Sequence, residues 1–135
     1  MNKFVLDTSI CVAILRGNQK VADRMKAIGV ANCYITDIVI AELLFGAYKS
    51  DRTAENLRQV RAFIGKMNVL PFPDSVDMFA QERLKLWRAG RKIDDFDLLV
   101  GCAAKVKGLT VVTHNVKHFE HIEDLDIVDW VKQDA

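Results

Sequence analysis

The stretch ITDIVIAELLFGA, residues 35–47, decides how this chain is expected to fold. It joins the end of a short run, NCYIT (32–36), to a segment in which every residue from Ile38 to Ala47 is apolar or glycine except Glu42. NCYIT predicts a short strand, and Asp37 is well placed to cap a helix that carries Glu42. A strand leading directly into an apolar helix is the repeating unit of α/β folds.

The same alternation of strands and helices extends along the chain. FVL (4–6) and LTVVTH (109–114) predict buried strands, and a last strand is expected near DIVDW (126–130). Helices are predicted for the following segments: 9–17 ending at Gly17, 18–28, 53–67, 74–88 after the Pro71–Pro73 turn and ending near Gly90, and 94–108 ending at Gly108. This order predicts a three-layer α/β/α sandwich with a mostly parallel central sheet.

Length and composition limit the classes of protein to consider. A chain of 135 residues with 50% hydrophobic residues predicts one domain, 1–135, with a substantial core. A net charge of +1 excludes nucleic-acid binding by overall basicity, so any such binding requires a local patch. Three widely spaced cysteines in apolar runs predict buried, reduced thiols. With no segment long enough for a signal peptide or a membrane span, we expect a soluble, cytoplasmic protein.

Three carboxylates stand alone in apolar surroundings. Besides Glu42, Asp7 is the only charged residue between Phe4 and Leu15, and Asp97 the only one between Phe96 and Ala104. Each follows a strand or lies near the start of a helix, and such positions gather at the carboxyl ends of parallel strands. A structural alternative exists, because Asp7 could simply cap a helix and Asp97 could occupy the first turn of a helix capped by Asp94. Glu42 lies deeper in its helix, where an unpaired charge is costly.

Convergence of these acids would have a chemical consequence. Mutual repulsion would raise their pKa values or push them apart unless a cation lay between them. Carboxylate oxygens are preferred by Mg²⁺ or Mn²⁺. Such a site is suited to phosphoryl transfer, which makes a phosphate ester or phosphodiester the natural substrate.

Four motifs together resemble a known family. VLDTSICVAIL, IAELLFGA, IDDFDLLVGCAA and TVVTHNVKHF are similar, in order and spacing, to the PIN domain of VapC-type toxins, and the likeness covers essentially the whole chain. The resemblance implies a magnesium-dependent endoribonuclease that forms a homodimer or a toxin–antitoxin complex and is held inactive by a cognate VapB-type antitoxin. It also implies hydrolysis by water that leaves 5′-phosphate and 3′-hydroxyl ends.

The resemblance also assigns residues. Asp7, Glu42 and Asp97 match the acidic metal-binding and catalytic residues of the family, with Mg²⁺ as the expected ion and Mn²⁺ as a substitute. Thr113 and Asn115 match a polar pair that often completes the site. The chain departs from the pattern at His118, where many relatives carry an acid, and this departure makes a second metal ion doubtful.

Other features leave alternatives open. Histidines 114, 118 and 121 have the spacing of a zinc clip but lack further ligands, which favours exposed loop residues. Basic residues at 83, 85, 88, 91 and 92 suit either RNA backbone or a solvated helix face. Phe45, Tyr48, Phe63 and Trp87 are expected in the core or at a dimer contact rather than as base-stacking platforms.

Two other functions compete with the nuclease. An aspartyl-phosphate enzyme would need a second acid near Asp7 and a late lysine, but Ser9 lies two residues on and LTVVTH has no lysine. An inactive binding module would keep the fold and use its acids only as caps or as partner contacts.

Overall fold

The computed structural model describes residues 2–132 and alternates strands with helices. The strands are β1 (Phe4–Leu6), β2 (Cys33–Thr36), β3 (Asn68–Leu70), β4 (Thr110–Val112) and β5 (Ile127–Val128). The α-helices are α1 (Thr8–Leu15), α2 (Gln19–Ile28), α3 (Asp37–Tyr48), α4 (Thr53–Lys66), α5 (Val76–Arg88) and α6 (Asp95–Lys107).

The five strands form one parallel sheet in the order β3-β2-β1-β4-β5. The first strand is therefore central: Phe4 pairs with Cys33 of β2 on one side, and Leu6 pairs with Val112 of β4 on the other. The chain winds outward from β1 through β2 to β3 and then returns to build β4 and β5. The strand order reverses between β1 and β4, and a crevice at such a switch point is where open α/β sheets bind ligands.

The core lies around the inner strands, and the predicted sandwich is confirmed. Helices cover both faces of the sheet, which explains why its strands are apolar without alternation. Seven residues of β1, β2 and β4 have no exposed surface: Val5, Leu6, Cys33, Ile35, Thr36, Val111 and Val112. Helices α1, α3 and α4 contact one another, and α5 packs against α6.

The boundaries of the helices follow local signals with two corrections. Gly17 and Gly108 have positive φ values of 88° and 66°, as expected of residues that follow helices. Asp37 does not cap α3 as predicted: the Thr36 hydroxyl accepts a hydrogen bond from the Val39 N–H at 3.1 Å, and Asp37 is the first helical residue. A carboxylate is also favourable there because it faces the positive end of the helix dipole. The helix predicted from residue 74 begins at Val76, after a 3₁₀ turn.

Strand β3 is absent from the prediction. It has three residues, lies directly before Pro71, and only Leu70 among them is buried. The Asn68 side-chain amide fixes its start, because Nδ2 lies 3.2 Å from each of three backbone carbonyl oxygens, those of Val30, Ala31 and Cys33. These contacts are long-range, so no local pattern marks them.

The aromatic side chains divide between core and surface. Phe63 is buried, as predicted, but Phe45, Tyr48 and Trp87 are 65%, 58% and 77% exposed. The core alternative is therefore wrong for these three residues, and the dimer-contact alternative stays a prediction. The phase of helices α3 and α5 turns these three side chains outward. Across residues 2–132, the helices are too short or too polar to span a bilayer.

Two contacts fix α6, the helix that carries Asp97. The Glu82 carboxylate on α5 is 2% exposed and lies 2.6 Å from Lys105 Nζ on α6. Gly101 faces the segment 119–125, where a Cβ atom added to it would lie 2.5 Å from Ile122 Cδ1. The α6 backbone therefore approaches this segment more closely than a side chain at position 101 would permit.

Candidate active site

Asp7 occupies the end of the central strand and is 4% exposed. One carboxylate oxygen, Oδ1, accepts hydrogen bonds from Ser9 Oγ at 2.6 Å and from the Ile10 N–H at 3.2 Å. The other, Oδ2, accepts from Thr113 Oγ1 at 2.6 Å. Burial raises the pKa of Asp7, and these hydrogen bonds partly offset the increase.

Thr113 lies beyond β4, beside Asp7, and is fully buried. Its Oγ1 also accepts a hydrogen bond from the Asn115 N–H at 2.9 Å. Ser9 makes a similar link, because its hydroxyl donates to Asp7 and accepts from the His114 N–H at 3.2 Å. The loop after β4 is thus joined to the carboxylate at the end of β1.

Glu42 lies in the second turn of α3 and is half-buried. Burial is the main cause of its raised pKa, and a hydrogen bond from the Thr8 side chain opposes this effect. The negative charges of Asp97, Asp94 and Asp7 raise the pKa further. The lone carboxylate in the apolar run therefore shares its surroundings with other acids.

Asp97 lies in the first turn of α6 and contacts the loop after β4. Its Oδ2 is 2.9 Å from His118 Nδ1. Burial raises the pKa of Asp97, the hydrogen bond and charge of His118 lower it, and the charges of Asp94 and Asp7 raise it again. His118, where an acid was expected from the resemblance, thus compensates the charge of Asp97.

The three predicted carboxylates, Asp7, Glu42 and Asp97, lie in one electrostatic neighbourhood, which we call the acid cluster. Each of Glu42 and Asp97 has a pKa raised by the charge of Asp7. Their hard oxygen donors fit Mg²⁺ or Mn²⁺. Within residues 2–132, however, no three His, Cys, Asp or Glu side chains converge closely enough to form a complete ligand set. Asp7 and Asp97 instead accept hydrogen bonds from hydroxyl and imidazole groups.

Comparison with known proteins identifies the family to which this fold belongs. The PIN domain profile matches residues 4–125. The chain belongs to the PIN domain family.

Individual PIN-domain relatives match almost the whole chain. The tRNA(fMet)-specific endonuclease VapC of Shigella flexneri is 30% identical over 131 residues, covering 96% of this chain and 99% of the relative. Ribonuclease VapC2 of Rickettsia felis is 30% identical, with 96% and 98% covered. A structure of DNA-bound VapBC from Salmonella typhimurium superposes with a TM-score of 0.90 at 32% identity, covering 96% of this chain and 99% of that chain. These matches confirm the predicted resemblance to VapC-type PIN domains.

Several residues of this PIN domain differ from their predicted settings. Asn115 is exposed, and its backbone N–H, rather than its side chain, contacts Thr113. Both structural alternatives are also correct, since Asp7 caps α1 and Asp94 caps α6. Asp7 can both cap a helix and belong to the acid cluster, because the positive end of a helix dipole stabilises a carboxylate whichever other groups contact it.

Of the hydroxyl groups that hold the acids, the sequence prediction included Thr113 but not Ser9 or Thr8. Ser9, two residues after Asp7, and Thr8, which contacts Glu42, both belong to the start of α1. Their position in the DTS triplet is the signal that could have found them, because hydroxyl residues beside a buried acid offer hydrogen bonds. Asp94 was expected only as a helix-start residue, but its charge also reaches Glu42 and Asp97.

The three histidines contact different partners. His114 Nδ1 lies 3.2 Å from Asp129 Oδ2, and His118 contacts Asp97. His121 Nε2 lies 3.0 Å from Arg91 Nη1. The HNVKHFEH segment thus connects the PIN-domain sheet, the acid cluster and the region after α5.

A groove of about 420 Å³ borders the acid cluster. Helices α1, α3 and α4 form it, and Glu42 lies in its lining. Its apolar part includes Val12, Leu15 and Leu43, and its polar part includes Arg16, Lys49, Asn56 and Gln59. The groove therefore extends from a charged centre onto an apolar helix surface.

Proposed function

We propose that this PIN domain, formed by the whole chain, is a magnesium-dependent endoribonuclease and the toxin of a VapBC-type toxin–antitoxin pair. The observation that carries the proposal is the electrostatic cluster of Asp7, Glu42 and Asp97 at the switch point of the sheet. Ribonuclease activity is named for relatives that share nearly the full length of the chain. The proposed substrate is RNA in the cytoplasm.

Asp7 and Asp97 would hold the ion, with Mn²⁺ able to replace Mg²⁺. A bound ion of this kind lowers the pKa of water and neutralises charge on a phosphate. Ser9 and Thr113 keep Asp7 in place by donating to separate oxygens of its carboxylate. His118 orients Asp97 through the contact with Oδ2. The chain thereby limits the freedom of both acids before substrate binds.

Glu42 either binds the ion or orients the attacking water. Its raised pKa makes it a better proton acceptor than an ordinary surface glutamate. Attack in line with the leaving oxygen would give 5′-phosphate and 3′-hydroxyl ends.

The groove beside Glu42 would receive the antitoxin. An amphipathic helix laid into an apolar groove is a common mode of peptide recognition, and the α1–α3–α4 groove offers such a surface. An inhibitor seated there lies next to a catalytic carboxylate, so binding and inhibition would be linked. The structures of VapBC complexes from Salmonella typhimurium and Rickettsia felis support this pairing.

The test is RNA cleavage by purified wild-type protein and by Asp7→Asn, each with Mg²⁺ or with EDTA. We expect cleavage only by the wild type with Mg²⁺, and a loss of at least about 100-fold in the variant, the scale of removing one main catalytic interaction. Asp51→Asn, an exposed turn residue, is the matched control and should retain full activity.

A second measurement does not depend on activity. Mn²⁺ should raise the melting temperature of the wild type, since a ligand that binds only the folded state stabilises it, and Asp97→Asn should weaken this shift. Equal cleavage by wild type and Asp7→Asn, or the same Mn²⁺ shift in wild type and Asp97→Asn, would contradict the proposed metal site.

A further inference from the structure

A second pocket, of about 300 Å³, lies between the end of α5 and the first turn of α6. Its floor is apolar and includes Leu86, Ile93 and Leu98, two of which are nearly fully buried. Its rim carries three basic residues, Arg83, Arg91 and Lys92, together with Trp87 and a single acid, Asp95. We refer to Arg83, Trp87, Arg91, Lys92 and this floor as the basic pocket.

The positive charges of the basic pocket are only partly compensated within it. Arg83 forms an ion pair with Asp95, the one acid of the lining. Arg91 instead has an imidazole as its neighbour, at 3.0 Å from His121 Nε2, and the lining provides no further carboxylate for Lys92. A chain with a net charge of only +1 thus concentrates positive charge at this place.

Trp87 adds an aromatic surface to the same rim. Its side chain is 77% exposed, the highest exposure among the large hydrophobic residues described as exposed in residues 2–132. Aromatic faces beside basic groups are the combination by which proteins bind single-stranded nucleic acids, since bases stack on the ring and phosphates contact the charges. The groove at Glu42 also carries two basic residues, Arg16 and Lys49, but its lining has no aromatic ring.

The basic pocket lies close to the candidate active site. Asp95, on its rim, and Asp97, in the acid cluster, are two residues apart in the first turn of α6. Residues with this spacing point to different sides of a helix, and a helix is about 10 Å across. A single strand of about 4 nucleotides, the smallest length that such binding surfaces accommodate, is long enough to reach from one place to the other.

We propose that the basic pocket binds a nucleotide of single-stranded RNA next to the scissile phosphodiester. Arg91 and Lys92 contact its phosphate, and the face of Trp87 stacks on its base. Arg83 remains tied to Asp95 and shapes the rim. This assignment rests on the proposed endoribonuclease function and adds to it a substrate-positioning surface outside the acid cluster.

The test measures binding separately from cleavage. An Asp7→Asn background prevents cleavage, and fluorescence anisotropy follows a labelled single-stranded RNA of mixed sequence, about 12 nucleotides long. Arg91→Ala/Lys92→Ala should weaken binding and reduce the slope of log K against log[salt] by about 1.4, or about 0.7 for each lost phosphate contact. Trp87→Ala should weaken binding about 5- to 150-fold, and Trp87→Phe should restore most of the loss.

Matched controls exclude a general charge effect. Arg58→Ala/Lys66→Ala removes two exposed basic residues from α4 and changes the net charge equally. This control should bind RNA with nearly unchanged salt dependence. Circular dichroism should show that every variant is folded, as expected for exposed positions.

Cleavage by chains that retain Asp7 distinguishes the two proposals. Arg91→Ala/Lys92→Ala should raise KM more than it lowers kcat, because it removes binding rather than a reacting group. If the wild type cleaves RNA but the pocket variants keep its affinity and KM, the basic pocket is refuted and the nuclease stands. If the wild type does not cleave and Asp7→Asn does not bind RNA, both fail. If the pocket variants lose binding to poly-L-glutamate but keep the RNA binding of the wild type, the pocket belongs to an acidic protein partner and the RNA assignment is refuted.

Discussion

Replacing Gly101 with alanine tests how closely α6 must pack to support the acid cluster. The new Cβ would lie 2.5 Å from Ile122 Cδ1 and 3.4 Å from side-chain atoms of Leu125 and Phe119. Ile122 is 3% exposed, so its side chain has little room to retreat. Overpacking of this kind costs about 1–3 kcal/mol. Alanine offsets about 1 kcal/mol of this through its higher helix propensity.

We therefore expect Gly101→Ala to lower the free energy of unfolding by about 0–2 kcal/mol. Gly46→Ala is the matched control, because Gly46 is also inside a helix but has no neighbouring atom within 4 Å of an added Cβ. It should stabilise the protein by up to about 1 kcal/mol. The difference between the two variants then isolates the packing cost of about 1–3 kcal/mol, measured by urea unfolding followed by circular dichroism.

The Ile122→Val change identifies the clashing atom, because it removes Cδ1. Alone it should cost about 0.5–1.5 kcal/mol, but combined with Gly101→Ala it should cost less than the sum of the two changes. A coupling energy above about 0.5 kcal/mol would support the clash. If Gly101→Ala and Gly46→Ala shift stability equally, or the double variant is additive, the explanation is wrong.

Three further predictions follow from charge and burial. Glu42→Gln should raise the melting temperature of the metal-free protein while abolishing cleavage, because burial and neighbouring acids destabilise the ionised form of Glu42. An unchanged or lower melting temperature would argue against this electrostatic cost. Glu82→Leu should lower the free energy of unfolding in urea by about 3–5 kcal/mol, because it leaves Lys105 without its buried partner. Adding Lys105→Met should recover most of the loss, and an unchanged stability of Glu82→Leu alone would contradict this explanation. Burial raises the pKa of Cys33 from 9.0 to about 11, so the folded-state pKa of this thiol exceeds the unfolded-state value. The stability that this difference provides is present below about pH 9 and is lost as the pH rises toward 11. The difference in unfolding free energy between wild type and Cys33→Ala should therefore shrink over that range, and a constant difference would refute the assignment.

Local sequence patterns predict most of the framework. The strand–helix alternation, the glycines after α1 and α6, and the isolation of three acids are all visible over windows of a few residues. Each reflects physics that acts locally, such as apolar burial or the conformational freedom of glycine. The family resemblance links these windows into one fold, as the match over 4–125 confirms.

Hydrogen bonds between residues far apart in the sequence leave no local pattern, although the family resemblance did name Thr113 as a site residue. The Thr113 hydroxyl lies 106 positions from Asp7, and Asn68 lies 35 to 38 positions from the carbonyl oxygens that it contacts. Trp87 has the spacing of either a buried or an exposed helix position, and only the packing of α5 against α6 decides between them. Capping of α3 by Thr36 instead of Asp37 is a choice between adjacent residues of similar propensity.

The central position of the first strand has a consequence for biosynthesis. A ribosome releases Asp7 early, but its β1 strand has an unpaired edge until Thr110–Val112 has been translated. A nascent or truncated chain that ends before β4 also lacks the Thr113 hydroxyl and His118. Under the proposed activity, an unfinished copy therefore lacks two of the groups that hold the catalytic acids and is expected to leave RNA intact until the chain is complete.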